Sequence, residues 1–302
     1  MSEKKTMPVI ELTEKSNPAS SEIDLLSPLQ IARIINREDQ KVAYAVEKVL
    51  DSVAQGIDLI AKAFAGGGRL AYFGAGTSGR LGILDASEMP PTFGVGSNMV
   101  QAFIAGGDDA VRNAVENAED NEEFAVADLM KFCPQPQDVI VGISAGGNPA
   151  YVVTAIKRAH DLKLKTIAIS SNPQAEIARY ADVFINPQVG PEVITGSSRM
   201  KSGTAQKMIL NMLTTGAMIR LGKTYKNYMI DLRVSNIKLH KRACRFVSEI
   251  SGTAPEQAAV FLQKSNNNVK TACVMAAKNC SKDEAEKLLA DNGGILRKII
   301  KG

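Results

Sequence analysis

Histidine and cysteine are scarce in this 302-residue chain: His160 and His240 are the two histidines, and Cys133, Cys244, Cys273 and Cys280 show no CxxC spacing. Structural zinc sites draw on closely spaced cysteine and histidine pairs, so no metal centre is expected and the thiols read as reduced and structural. A run of one charge is also lacking. The 36 Lys and Arg residues are scattered or interleaved with 32 Asp and Glu for a net charge of +4, which makes nucleic acid a poor partner. No stretch reaches about 18 uninterrupted apolar residues, and Met1 to Pro8 has charges but no apolar core of a signal peptide. A cytoplasmic, soluble protein with no membrane partner is the expectation. Internal repeats and low-complexity tracts are missing too.

What is present is a normal globular balance, 45% hydrophobic and 23% charged, consistent with one large domain and a smaller appendage. Residues 1–30 carry Asn17-Pro18 and Ser-rich, charged stretches with little periodicity, an arm that packs on something larger. From Ile31 to Ala65, Val42, Val46, Val49, Val53, Ile57, Ile60 and Phe64 recur at helical spacing until Gly66-Gly67-Gly68. Five short apolar runs follow: Leu70 to Phe73, Gln101 to Ile104, Val139 to Ser144, Thr166 to Ser170 and Val183 to Ile185. Strands alternating with helices predict an α/β fold, a doubly wound and mainly parallel five-stranded sheet covered on both faces. Ligands of such sheets bind beyond the carboxyl ends of the strands, near the topological switch point. Ser198 to Leu221 reads as a long helix whose apolar face serves a core or a subunit interface. Residues 31–235 form the main domain, and 236–302 a small helical one with three short helices from about Val247 onward.

Gly74-Ala75-Gly76-Thr77-Ser78-Gly79-Arg80 follows one predicted strand and opens a helix, where unsatisfied N–H groups and the helix dipole favour an anion. The match to G-x-G-x-x-G also permits a dinucleotide, but that fold wants an acid about 20 residues further on. Glu88 comes too early and Asp108 too late. The hydroxyls of Thr77 and Ser78 with the Arg80 cation suit a terminal phosphate better. Ser144-Ala145-Gly146-Gly147-Asn148-Pro149 repeats the pattern of strand, small polar residues, glycines and helix. A third cluster, Gly196 to Thr204 with Ser197, Ser198, Arg199 and Lys201, precedes the long helix and reads either as a polar site or as ordinary helix capping.

Taken together with Leu84-Asp85-Ala86-Ser87-Glu88-Met89-Pro90-Pro91-Thr92-Phe93-Gly94, Glu116-Asn117-Ala118-Glu119-Asp120-Asn121 and Asp231 to Asn236, these blocks resemble the N-acetylmuramic acid 6-phosphate etherases, which have the sugar isomerase (SIS) fold. The resemblance runs from about residue 15 to the carboxyl terminus. It implies a hydro-lyase that converts N-acetylmuramic acid 6-phosphate to N-acetylglucosamine 6-phosphate and D-lactate in cell-wall sugar recycling, as a cytoplasmic homodimer without metal or cofactor. Glu88 takes the place of the family's proton donor to lactate and Glu119 that of its second catalytic glutamate. Phosphate binding is expected at Gly76, Thr77, Ser78 and Gly79, with Ser144, Asn148, Ser197 and Ser198.

Without the resemblance neither glutamate stands out. Glu88 ends a predicted helix before Pro90-Pro91, and Glu119 lies among Glu116, Asp120, Glu122 and Glu123 in an acid-rich helix, where most acids are merely solvated. SIS sites often read S-x-S-G-x-T in the second loop; here two of those hydroxyls are missing, which places more demand on Thr77 and Ser78. His240, among Lys238, Lys241 and Arg242, reads as solvated rather than as a ring-opening base. A sugar-phosphate isomerase needs no acid aimed at a C3 ether. A sugar-phosphate-sensing regulator related to glucokinase regulatory protein would carry two SIS domains, where this chain has room for one.

Overall fold

The computed structural model describes residues 14–300 except Arg233 and Ser235. The first part of the expected arm, and two positions of the Asp231 to Asn236 block, therefore lie outside the described residues. The helices are α1 (Pro28–Glu47), α2 (Leu50–Ala65), α3 (Gly76–Phe93), α4 (Gly107–Arg112), α5 (Glu122–Phe132), α6 (Ala150–Asp161), α7 (Lys201–Arg220), α8 (Ile237–Ser251), α9 (Pro255–Lys264), α10 (Val269–Lys278), α11 (Lys282–Asp291) and α12 (Leu296–Ile299). The strands are β1 (Leu70–Gly74), β2 (Val100–Ile104), β3 (Val139–Ile143), β4 (Lys165–Ile169), β5 (Val183–Ile185), β6 (Thr224–Tyr225) and β7 (Tyr228–Met229).

The chain divides into two compact units, one taking the chain as far as Ala86 together with Val100–Leu213, the other Ser87–Met99 and the chain from Thr214 onward. This differs from a single cut at residue 235, because the end of α3 and the loop after it belong with the second unit. In the first unit β1 to β5 form one parallel sheet in the order β2-β1-β3-β4-β5. The five apolar runs of the sequence are these strands. They are near-continuously apolar because both faces are covered. On one face Phe73, Ile140 and Ala168 pack with Phe132 of α5 and Tyr151 and Ile156 of α6. On the other lies α2, where a Cβ on Gly56 would lie 3.5 Å from Ile167 Cδ1 of β4 and 2.7 Å from Leu213 Cδ2 of α7, so a larger residue there would make the Leu213 side chain shift. Tyr72 on this face donates to Asp85 at 2.8 Å, and Asn211 donates to the other Asp85 oxygen at 3.0 Å.

Three helical expectations change. The 31–65 helix is two helices, since at Lys48 and Val49 the chain tightens and Val49 N–H donates to Val46 O, three residues back; no glycine or proline marks the break. On α7, Ala205, Ile209, Leu210, Leu213, Ala217 and Met218 are all buried, so most of its apolar face already serves the core. In the second unit α9 to α12 replace the expected three short helices: Asn268 caps α10 and Ser281 with Glu284 forms a capping box on α11. Their apolar faces enclose a core of Phe246, Leu262, Val274 and Leu296 beside the β6–β7 hairpin. Among the described residues no helix is long and apolar enough to cross a membrane.

Candidate active site

β1 and β3 are neighbours whose connections leave in opposite directions, so the switch point of the sheet lies between their ends at Gly74 and Ile143. The Gly76 to Gly79 turn leaves the first of these ends and Ser144 to Pro149 the second.

The turn is built on glycine. A Cβ on Gly74 would lie 2.6 Å from Gly79 N, and one on Gly79 would strike Gly74 O and the Ile104 side chain. Gly76 has φ +51° and opens α3, with no atom within 4 Å of where its Cβ would point. The start of α3 and the positive end of its dipole thus meet at an open edge, an environment that favours negative charge. Thr77 is half-buried. Ser78 is buried, and its hydroxyl donates to Gln206 Oε1 at 3.0 Å. α7 is held close: a Cβ on Gly203 would be 3.4 Å from Thr77 Cγ2.

The second loop is fastened to the segment after β4. Ser144 Oγ accepts Gly147 N–H at 2.9 Å, Asn148 Oδ1 accepts Glu176 N–H at 3.1 Å, and Asn172 Nδ2 donates to Gly146 O at 3.0 Å. Ser144 and Asn148 therefore shape the loop whatever else they contact.

At the third cluster capping wins. The carboxylate of Glu192, fully buried, accepts the backbone N–H groups of Lys201 and Ser202, each at 2.9 Å. An internal anion thus already occupies the start of α7. Ser197 and Ser198 are half-buried just before it. Lys201, which the sequence offers as a cation for a ligand, is instead buried against Glu38.

Glu119 does not lie in a long acid-rich helix. Asn117, at φ +57°, starts a single 3-10 turn over Ala118–Asp120, and Asn121 ends it by accepting Phe124 N–H as the cap of α5. Glu119 is exposed there and lines a pocket of about 340 Å³ together with Gly76, Arg80, Ala105 and Asn117. Arg80 donates to the carbonyls of Val111 and Asn113, both at 2.9 Å. Two of its donors thus brace the segment that leads to Glu119, while Arg80 also lines the pocket. Glu88 is exposed on α3, which continues through Pro90 and Pro91 to Phe93, so it lies within the helix rather than at its end. Pro90 and Pro91 bring no N–H to this last turn, and Gly94 N–H closes it on Pro90 O. Glu88 falls in the second compact unit and Glu119 in the first. His240 is exposed.

Two domain families match the chain between residues 41 and 216: the glucokinase regulatory protein N-terminal SIS domain over 41–160 and the SIS domain over 111–216. The C-terminal lid domain of glucokinase regulatory protein matches 226–271. An N-acetylmuramic acid 6-phosphate etherase from one Escherichia coli strain is 51% identical over 289 residues, covering 96% of this chain and 97% of the relative. The etherase of a second strain of that species is 50% identical over the same length. The chain belongs to the N-acetylmuramic acid 6-phosphate etherase family. A solved structure of a phosphosugar-isomerase-like protein involved in capsule formation in Bacteroides fragilis shares the fold, with a TM-score of 0.51 at 23% identity over 68% of this chain and 98% of that one.

Within this etherase fold, sequence reasoning passes over Gln206, Glu192 and Glu38. Each is an ordinary polar residue in a helix or loop, and only long-range burial gives it a partner. The one local signal is the absence of a Ser, Thr, Asp or Asn side-chain cap at Met200, directly before α7, which leaves its first amides to be satisfied from elsewhere.

Proposed function

We propose that this chain is a cytoplasmic carbon–oxygen lyase that removes the D-lactyl ether of N-acetylmuramic acid 6-phosphate, giving N-acetylglucosamine 6-phosphate and D-lactate. The pocket that Glu119 shares with Gly76 supports this most directly, because it sets a carboxylate beside the anion-ready start of α3. The 6-phosphate would sit on the Gly76 to Gly79 turn, with Thr77 and Ser78 as hydroxyl donors and Ser144 and Asn148 on the neighbouring loop. Ser197 and Ser198 are secondary candidates, since Glu192 already occupies the adjoining helix start.

In the open-chain sugar the C1 aldehyde acidifies the C2 proton. Glu119 takes that proton and an enolate forms. The C3–O bond then breaks, with Glu88 protonating the departing lactate oxygen. Water adds at C3 of the unsaturated aldehyde, C2 is reprotonated, and both carboxyls return to their starting states. General acid–base help of this kind is typically worth about 10² to 10⁴ in rate. An isomerase would also take the C2 proton but would deliver a proton to C1, and it needs no acid aimed at a C3 ether.

The enzyme acts as a homodimer in this proposal. Leu29 and Tyr44 of α1 support it, being 60% and 67% exposed, which makes α1 a better interface candidate than α7. The test is incubation of purified protein with N-acetylmuramic acid 6-phosphate: D-lactate and N-acetylglucosamine 6-phosphate should appear in equal amounts. An isomerised sugar with no lactate would replace the etherase with an isomerase.

A further inference from the structure

Behind the phosphate turn lies a buried polar group that the proposed mechanism leaves unused. Gln206 is 2% exposed; its Oε1 accepts the Ser78 hydroxyl at 3.0 Å, while its Nε2 has no hydrogen-bond partner among the described residues. Ser202, fully buried, likewise has a hydroxyl without a partner. An amide N–H buried unpaired is costly, so such a group calls for a function or a second arrangement. Ser202 and Gln206 stand four residues apart on α7 and so share one face of the helix.

One rotation pairs the orphan amide donor. With the Gln206 amide turned by 180°, Nε2 donates to Ser78 Oγ and Oε1 takes the side, away from Ser78, on which Nε2 has no partner. The consequence falls on Ser78. As it stands its single proton points inward to Gln206, and the hydroxyl can only accept from elsewhere. Phosphate oxygens are acceptors and need that proton. After rotation Ser78 receives a bond from behind and its proton is free to point outward.

We infer that Gln206 is a positioning residue which, by reversing its amide, switches Ser78 from an inward donor to a donor for the substrate's phosphate. Binding and donor reversal are then one event: a phosphate dianion favours the rotated amide, and a neutral sugar gains nothing from it. This rests on the proposed phosphate site, and the experiment separates the two.

Gln206→Glu keeps the shape and the acceptor but removes the donor, locking the Ser78 proton inward. It should raise KM for N-acetylmuramic acid 6-phosphate, and Kd for inorganic phosphate by calorimetry, roughly as much as Ser78→Ala does, at least about tenfold. The value of kcat at saturation should stay within about twofold, because the relay acts on binding rather than on the ether. Added charge alone would repel phosphate too, so the deciding comparison is made in the Ser78→Ala background. There Gln206→Glu should cause no further loss, and an undiminished second loss would overturn the relay. Gln206→Met, uncharged and of similar size, is the second arm should the glutamate variant fail to fold. It should raise KM about threefold in the parent and not at all beside Ser78→Ala; equal effects in both backgrounds would overturn the relay as well. If Ser78→Ala leaves phosphate affinity unchanged, the phosphate site itself is misplaced and the inference falls with it. If Ser78→Ala weakens binding and neither Gln206 variant does, the site stands and the relay alone is wrong.

Discussion

Lys201 Nζ lies 2.8 Å from Glu38 Oε2 across 163 residues of sequence, with 1% and 4% of the two side chains exposed. The same carboxylate oxygen accepts Asn17 Nδ2 at 3.0 Å, and that amide also donates to Pro191 O. The backbone N–H groups of Lys201 and Ser202 meanwhile both donate to Glu192. The segment around Asn17, α1 and the start of α7 are thus locked by one buried polar network.

Breaking that network should be expensive. Glu38→Ala leaves the Lys201 ammonium buried and unpaired, and the expected loss is about 3–5 kcal/mol in urea unfolding. Burial pushes the Glu38 carboxyl up, but hydrogen bonds from Lys201, Lys41 and Asn17 outweigh it and bring it from 4.5 to about 2. A lowered folded value means stabilisation that is full above the unfolded value and lost as pH falls through the folded one. The difference between parent and Glu38→Ala should therefore hold steady down to about pH 5 and shrink towards pH 2. A constant difference across that range would remove Glu38 from the acid response.

Two glycines should respond differently to alanine. At Gly147, with φ +80°, a Cβ would lie 2.2 Å from Ala175 Cβ, so Gly147→Ala must push two loops apart and should cost more than about 2 kcal/mol. At Gly76 the backbone penalty is about 1–2 kcal/mol, since a Cβ there meets open space. Gly76→Ala should fold and bind phosphate poorly, because its methyl would enter the proposed site. Thermal melts beside phosphate titrations check both.

Arg80→Ala releases the carbonyls of Val111 and Asn113 and so loosens the segment carrying Glu119. A displacement near 1 Å can cost about 10² in rate, so kcat should fall by about that factor while the melting temperature drops only a few degrees. A KM effect with unchanged kcat would return Arg80 to direct phosphate binding.

The two glutamates should separate by hydrogen exchange. Glu88→Gln should block lactate release yet allow exchange of the C2 proton with solvent deuterium, since the enolate still forms and collapses backward. Glu119→Gln should suppress both. NMR of recovered substrate beside a lactate assay decides, and the reverse pattern would swap the roles.

The sheet was legible in advance because a strand covered on both faces needs a short, almost uninterrupted apolar run, and each of the five stands out between helical or turn-rich segments. The Gly74 to Arg80 loop was legible for a related reason, as close backbone approach admits only glycine. Glu88 and Glu119 came from the resemblance, since an exposed acid in an acid-rich stretch has no local mark of chemistry. Arg80 and Lys201 were readable as cations, but not as bonded to loop carbonyls or to Glu38. The pairs Ser78 with Gln206, Lys201 with Glu38, and α7 with Glu192 belong to the tertiary structure alone. A polar side chain's role depends on which partners burial leaves within hydrogen-bond reach, and those partners come from distant parts of the chain.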